Sequence, residues 1–103
     1  MDHVTNDTNV GQIERALAPY QERHPVADIK VRRENSASVR IRIIDPAFRG
    51  RGLAEREDEI WPAIEALAPD VREEITMLLL LAPEEAANSL VNTEFEHPLP
   101  SRI

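Results

Sequence analysis

The sequence predicts a single α+β domain in which a helix, a β-hairpin, a second helix, a strand and a third helix follow one another. Its 103 residues are one domain's worth of chain. Apolar residues recur at helical spacing in some segments and alternate strictly in others, so both kinds of element are expected. With 42% hydrophobic residues and no cysteine, we expect an ordinary apolar core without disulfides, thiolate metal sites or a cysteine nucleophile.

The first predicted helix follows a short polar segment. Residues 1–8 show no apolar pattern, and we expect them to be disordered. Thr8 or Asn9 can cap the helix, and Pro19 and then Pro25 are expected to end it. The apolar residues of this segment stand at helical spacing: Ile13, Ala16, Leu17 and Tyr20.

Two alternating runs, residues 27–33 and 38–44, predict the β-hairpin. In the first run Ile29 and Val31 fall on one face and Lys30 and Arg32 on the other. In the second run Val39, Ile41 and Ile43 fall on one face and Arg40 and Arg42 on the other. Residues 34–37 join the runs with turn-forming side chains. Pro46 ends the second strand, because proline cannot donate a hydrogen bond to the ladder.

The second half of the chain predicts a helix and a strand. Residues 53–68 are amphipathic, and Pro62 is expected to kink or split this helix. Residues 75–81 are apolar on both faces, as in a strand that is covered on both sides.

A closing helix and a tail complete the prediction. Pro83 and the two glutamates after it are a strong helix start. Residues 94–103 contain Pro98 and Pro100, and we expect an extended tail there. The folded domain is therefore predicted to span residues 9–93.

Charge is unevenly distributed along the chain, whose formal net charge is −7. Residues 23–56 hold nine lysine or arginine residues against four acids, whereas residues 57–103 hold two against eleven. The basic middle is either a binding patch or the counterpart of acids elsewhere in the fold, which would neutralise it.

The cations of the hairpin share its outer face, and two arginines lie just beyond it: Lys30, Arg32, Arg40, Arg42, Arg49 and Arg51. Such a stripe can bind a partner protein or follow a phosphate backbone. KH-type nucleic-acid binding uses a Gly-x-x-Gly loop, which residues 50–52 do not provide. No aromatic residue is interleaved for base stacking. The polar face of an open sheet is the simpler interpretation.

One short motif before and within the second helix resembles the phenylalanine–x–glycine … arginine segment of BolA-like proteins and consists of Phe48, Gly50 and Arg56. Trp61 stands where that family usually has an aromatic residue, and residues 75–85 resemble its last strand and closing helix start. The resemblance covers about residues 12–92. It implies an α-β-β-α-β-α order with a three-stranded mixed sheet and helices on one face, the class II KH-like fold.

The departures from that family concern its iron–sulfur ligands. BolA-like proteins carry a histidine directly after the arginine, where this chain has Glu57. They also tend to carry a histidine or cysteine in the hairpin loop, here residues 34–37, and a histidine opening the last strand, here Thr76. The family's bridging of a cluster with a monothiol glutaredoxin needs nitrogen or sulfur ligands. We therefore expect no cluster and no other cofactor.

Glu57 has two interpretations, since it falls within the apolar arc of its predicted helix. It is either a carboxylate that faces a cleft, paired with Arg49 or Arg51, or a first-turn glutamate that reaches solvent and is favoured by the helix dipole. The second interpretation is preferred because a buried, unpaired carboxylate is costly.

The sequence carries no pattern typical of catalysis, such as a nucleophile with its base, a phosphate loop or a paired-histidine metal motif. It predicts a non-catalytic protein-interaction or regulatory module that resembles BolA proteins, with KH-like nucleic-acid binding as the alternative. No apolar run is long enough to span a membrane, and the N-terminus lacks a signal-peptide pattern. We expect a cytoplasmic protein with no membrane contact.

The last strand is expected at an edge of the sheet, where one alternate set of its side chains faces outward. The outward set is either Ile75, Met77, Leu79 and Leu81 or Leu78 and Leu80, and the candidates for this apolar interface are Leu78 and Leu80. A second copy, an unknown protein partner or the chain's own tail, through Phe95 and Leu99, can cover it. We expect a homodimer through the sheet, with the tail as the second choice.

Overall fold

The computed structural model describes residues 7–97. Numbered in chain order, the elements are α1 (Thr8–Arg23), β1 (Asp28–Asn35), β2 (Ser38–Ile44), a 3-10 turn (Pro46–Phe48), α2 (Leu53–Glu65), α3 (Pro69–Arg72), β3 (Ile75–Leu81), α4 (Pro83–Ala86) and α5 (Leu90–Glu96).

The three strands form one mixed sheet in the order β1-β2-β3. β1 and β2 are antiparallel and are joined at residues 36–37, whereas β2 and β3 are parallel. The α+β class, the hairpin and the edge position of β3 are confirmed. Since β2 is central, its side chains decide what each face of the sheet holds.

The core lies between the sheet and the helices α1, α2 and α3. Val39, Ile41 and Ile43 of β2 are fully buried on this face. They pack with apolar residues at helical spacing from α1 and α2, which are Ile13, Leu17, Tyr20, Ile60 and Ile64. The alternation in the hairpin and the helical periodicity therefore meet in one core, as the sequence predicts.

The other face of the sheet is covered by α5, so the expectation of helices on one face alone is wrong in this respect. Phe95 of α5 is fully buried, and the guanidinium groups of Arg32 and Arg42 lie 4.9 and 5.0 Å from its ring centroid. The physical reason is that this face of the hairpin is cationic, and α5 supplies both a ring and carboxylates to it.

The prediction of an extended tail from residue 94 is also wrong for residues 94–96, which are helical. Ser89 caps α5 by accepting a hydrogen bond from the backbone N–H of Asn92 at 3.0 Å. Burial of Phe95 then stabilises the helix up to the residues before the prolines. The folded domain thus extends past residue 93, and residues 98–103, with Leu99, lie outside the described residues.

At the other end of the domain, α1 already includes Thr8, and its N-cap is Asp7 rather than Thr8 or Asn9. The Asp7 carboxylate accepts from the N–H of Val10 at 3.1 Å and pairs with Arg33 of β1 at 2.7 Å. These partners hold its pKa at about 2, with the Arg33 hydrogen bond as the largest cause. The predicted disorder of residues 1–8 is wrong for Asp7 and Thr8, which begin α1, and residues 1–6 lie outside the described residues.

The prediction that Pro19 ends the first helix is wrong, because α1 continues through it to Arg23, before Pro25. The helix α2 likewise continues through Pro62 and ends at Glu65, so that proline does not split it. Within the described range, no helix is both long and apolar enough to cross a membrane.

Candidate functional site

The hairpin cations Lys30, Arg32, Arg40 and Arg42 lie together beneath α5, and we call this surface the basic face. Arg42 is at its centre, and only 2% of its surface is exposed. Its guanidinium donates to the side-chain oxygen of Asn92 at 2.9 Å, to Asp28 at 3.2 Å and to a Glu96 carboxylate oxygen. This pairing lowers the pKa of Glu96.

The remaining cations of the basic face are also paired within the chain. Arg40 lies 3.3 Å from Glu94 and 3.7 Å from Glu34. Arg32 donates to the carbonyl oxygen of Phe95, and Lys30 lies 4.0 Å from Glu96. The acids of α5 therefore neutralise a surface that the sequence left open as a binding patch.

Arg49 and Arg51 do not join the basic face. Arg49 pairs with Glu84 at 2.9 Å at the exposed surface, and Arg51 pairs with Glu59 at 2.7 Å. The structure thus separates the six predicted binding cations into a covered group of four and two pairs elsewhere.

The motif residues before α2 have structural roles. Phe48 is fully buried, and Gly50 adopts a φ of 74°, which side chains with a Cβ rarely adopt. Arg56 lies 5.6 Å above the Phe48 ring and donates to the carbonyl oxygens of Arg51 and Leu80. The motif therefore builds the junction between α2 and the sheet.

Arg56 also forms a two-pronged ion pair with Glu85 of α4, at 2.7 and 3.0 Å. This hydrogen bonding, together with the N–H of Ala82, holds the pKa of Glu85 at about 2. One buried guanidinium thus connects α2, the end of β3 and the start of α4.

Glu57 is exposed on α2, in agreement with the interpretation of a first-turn glutamate that reaches solvent. Its two proposed partners, Arg49 and Arg51, pair with other acids. It lines a groove of about 390 Å³ together with Asp58, Trp61 and Leu78. Trp61 is 45% exposed, and its indole N–H donates to Glu65 at 2.8 Å, which fixes the ring's orientation.

A second, smaller groove of about 180 Å³ shares Trp61 and Leu78 with the first. Its other lining residues come mainly from the first half of β3 and are Ile64, Arg72, Ile75, Thr76 and Met77. We call the two together the β3 groove. Its floor is apolar, and Glu57 and Asp58 make one rim acidic.

The β3 groove runs beside an unpaired strand edge. Within residues 7–97, no strand pairs with the outer side of β3. The seven residues Ile75–Leu81 contain no charge and no proline, the usual protections of an edge strand. β1, at the opposite edge, carries Lys30, Arg32, Arg33 and Glu34. The β3 edge is therefore the one that is open to another strand.

The predicted outward pair in β3, Leu78 and Leu80, faces the core instead, which corrects that prediction. Leu80 is 3% exposed and belongs to the core cluster, and Leu78 packs against it. The register pairs Leu78 with Ile41 and Leu80 with Ile43, whose side chains define the core face. Leu78 remains a candidate interface residue because it also lines the β3 groove.

Sequence reasoning missed a buried polar cluster at the end of α1. The Tyr20 hydroxyl donates to Asp45 at 2.5 Å, His24 Nδ1 lies 3.1 Å from the same carboxylate oxygen, and the two rings stack at 4.1 Å. Burial, and then the Asp45 carboxylate, raise the pKa of Tyr20. The Asp-Pro pair, a capping signal, could have indicated the acceptor, since Asp45 also caps the 3-10 turn.

This cluster connects α1 to the end of β2, and its hydroxyl donates inward to a buried carboxylate. Among residues 7–97, no group of three or more histidine or carboxylate side chains is placed to hold a metal ion.

In comparisons with known proteins, the chain matches no protein-family model, no curated protein and no solved structure.

Proposed function

We propose that this protein is a non-catalytic interaction module that binds an extended segment of a partner protein along β3. The observation that carries the proposal is the uncharged outer edge of β3 beside the half-exposed Trp61. An added strand would complete the backbone hydrogen bonds of this edge, which gives affinity with little dependence on sequence.

The β3 groove supplies the sequence preference. Side chains of the added strand that point toward α2 would meet Trp61 and Leu78, and rings of this kind are common anchors of protein interfaces. The carboxylates of Glu57 and Asp58 lie beside these two residues and favour lysine or arginine in the partner. The partner segment is therefore extended, apolar on one face and basic.

The resemblance to BolA-like proteins fits this proposal without the iron–sulfur activity. The family's histidine position holds the exposed carboxylate of Glu57, and Thr76 shares a hydrogen bond with the hydroxyl of Ser38. Both are hard oxygen groups, which a cluster's iron does not prefer. We propose a BolA-like module that acts in the cytoplasm without a cofactor.

Nucleic-acid binding by a KH-like surface is the alternative, and the geometry favours it less. Phosphate contacts need accessible cations, whereas Arg42 is buried and Arg40 is paired with two acids. Binding to an oligonucleotide that weakens steeply as salt rises would support this alternative.

A homodimer is the remaining candidate for the β3 edge. A two-fold pairing of β3 with its copy would bring two acidic rims, each with Glu57 and Asp58, toward one another, and like charges oppose this association. We therefore favour a basic partner over a second copy. Sedimentation at micromolar concentration distinguishes the two, since a self-paired edge gives a dimer.

The test uses a designed, labelled nonapeptide of alternating lysine and valine or leucine. We expect the full chain to bind it and Trp61→Ala to weaken binding roughly tenfold or more, as for a central aromatic anchor. The measurement is fluorescence anisotropy. Leu53→Ala is the matched control, because Leu53 is exposed on the same helix but outside the groove.

A second peptide, with glutamate in place of lysine, tests the charge preference and should bind more weakly. Equal binding by wild type and Trp61→Ala, or no binding of the basic peptide at all, would contradict the proposed function.

A further inference from the structure

We propose that the basic face is a second binding site, specific for an acidic partner segment with an aromatic residue between two carboxylates. In the free protein, α5 occupies this site. The proposal is independent of the β3 groove, because the two surfaces share none of the residues that define them.

The basic face differs in composition from most covered sheet faces. A sheet face that is permanently covered is normally apolar, since burying a charge costs more than burying a methyl group. Here the central side chain is Arg42, whose Nε is buried without a partner in the described part of the chain. Arginine and aromatic side chains in contact are typical of interfaces between separate partners.

Little apolar surface holds α5 in place, and most of its contacts are polar. It has seven residues, too few to be helical without a surface to pack on. Leu90 is 86% exposed and Val91 is exposed as well, so Phe95 is the main apolar anchor. An element with one anchor is among the first to open locally.

The side chains of α5 show which ligand chemistry the basic face accepts. Glu94, Phe95 and Glu96 are consecutive, and they contact Arg40, Arg32 and Arg42 between them. The Phe95 ring lies against two guanidinium groups, and each carboxylate pairs with at least one cation. A ligand of the basic face should therefore carry the same order of side chains: a carboxylate, an aromatic ring and a carboxylate. A partner segment with the same order would displace α5 and take its contacts.

The experiment uses the full chain and a labelled peptide that copies residues 89–97. A site that is mostly occupied shows an apparent affinity reduced by the fraction that is open. We therefore expect Phe95→Ala, which weakens the resident α5, to bind the peptide at least about tenfold more tightly than wild type does. Circular dichroism verifies that the variant is folded.

Three further variants keep the test decisive. The double variant Glu94→Gln with Glu96→Gln weakens the contacts of α5 by removing charge alone, and it should also bind the peptide more tightly than wild type does. This variant is the test if Phe95→Ala does not fold. Leu90→Ala, on the exposed side of the same helix, should bind as wild type does. Trp61→Ala should likewise leave this affinity unchanged, which separates the basic face from the β3 groove.

The proposal would be overturned if no folded variant bound the peptide more tightly than wild type. It would also be overturned by equal binding of a peptide in which alanine replaces the phenylalanine. Binding of a thymidine oligonucleotide in place of the peptide would assign the face to nucleic acid. A wild-type dimer that the peptide dissociates would assign it to the α5 of a second copy.

Discussion

Arginine side chains of this chain differ in role according to where each one is placed. Arg42 and Arg40 lie two residues apart on one strand face, yet Arg42 is buried at the centre of the basic face and Arg40 lies toward its margin. Arg56 is nearly buried and connects three elements. Alternation fixes the face of each side chain, whereas burial depends on what packs above it.

This difference predicts unequal costs of substitution in the basic face. Arg42→Gln should lower the free energy of unfolding by about 1–3 kcal/mol, because charged hydrogen-bond partners lose a buried donor. Arg40→Gln, whose ion pairs reach solvent, should cost no more than about 1 kcal/mol. Urea denaturation of the two variants measures both values, and equal losses would contradict the placement of Arg42 under α5.

At the scale of elements, the junction of α2, β3 and α4 depends on one ion pair. Arg56 reaches the carbonyl oxygen of Leu80 and the carboxylate of Glu85. The ordinary pKa of glutamate is 4.5, whereas that of Glu85 in the folded chain is about 2. Between these two values the unfolded chain binds more protons than the folded one, so stability rises with pH there.

We therefore expect the unfolding free energy to fall as the pH is lowered from about 4.5 to about 2. Glu85→Gln should be less stable than wild type at neutral pH, and the difference should shrink as the pH falls through that window. Denaturation at several pH values checks this. Glu73→Gln, an exposed control, should stay within about 0.5 kcal/mol of wild type at neutral pH. A gap between Glu85→Gln and wild type that does not change with pH would refute the role of the ion pair.

Local periodicity made α1 and the hairpin predictable from the sequence, because their apolar spacing of 3.6 or 2 residues matches the observed elements. β3 was predictable as a short, continuous apolar run. The outward set of β3 was not predictable, because residues 75–81 are apolar at nearly every position and show no alternation. Their faces follow from the register with β2, which shifts between Val39 and Arg40.

The position of α5 was not predictable either, because its contacts are distant in sequence. Phe95 meets Arg32, 63 residues earlier in the chain. The two prolines after residue 97 indicate an end to regular structure, but they do not place the residues before them. The sequence did single out Glu57 and Trp61, and it did not show that they share a groove with Leu78.

At the scale of the whole molecule, the uneven charge along the chain organises the fold. The basic hairpin is neutralised mainly by acids of α5, so two segments that each look like a binding patch are partners of one another. Within residues 7–97, Glu57 and Asp58 of α2 do not neutralise the hairpin, and both line the β3 groove. The surface beside the β3 edge therefore combines apolar side chains with the carboxylates of Glu57 and Asp58, and Arg72 lies at the smaller groove.

The central claim is that β3 accepts a basic, extended segment at its outer edge. Titration of the isotope-labelled chain with the lysine-rich nonapeptide tests it most directly by nuclear magnetic resonance. We expect changes at the Trp61 indole N–H and at the amides of Ile75–Leu81, with slower hydrogen exchange at those β3 amides that point outward. Changes confined to β1, β2 and α5, or no change at β3 with peptide in excess, would contradict the claim.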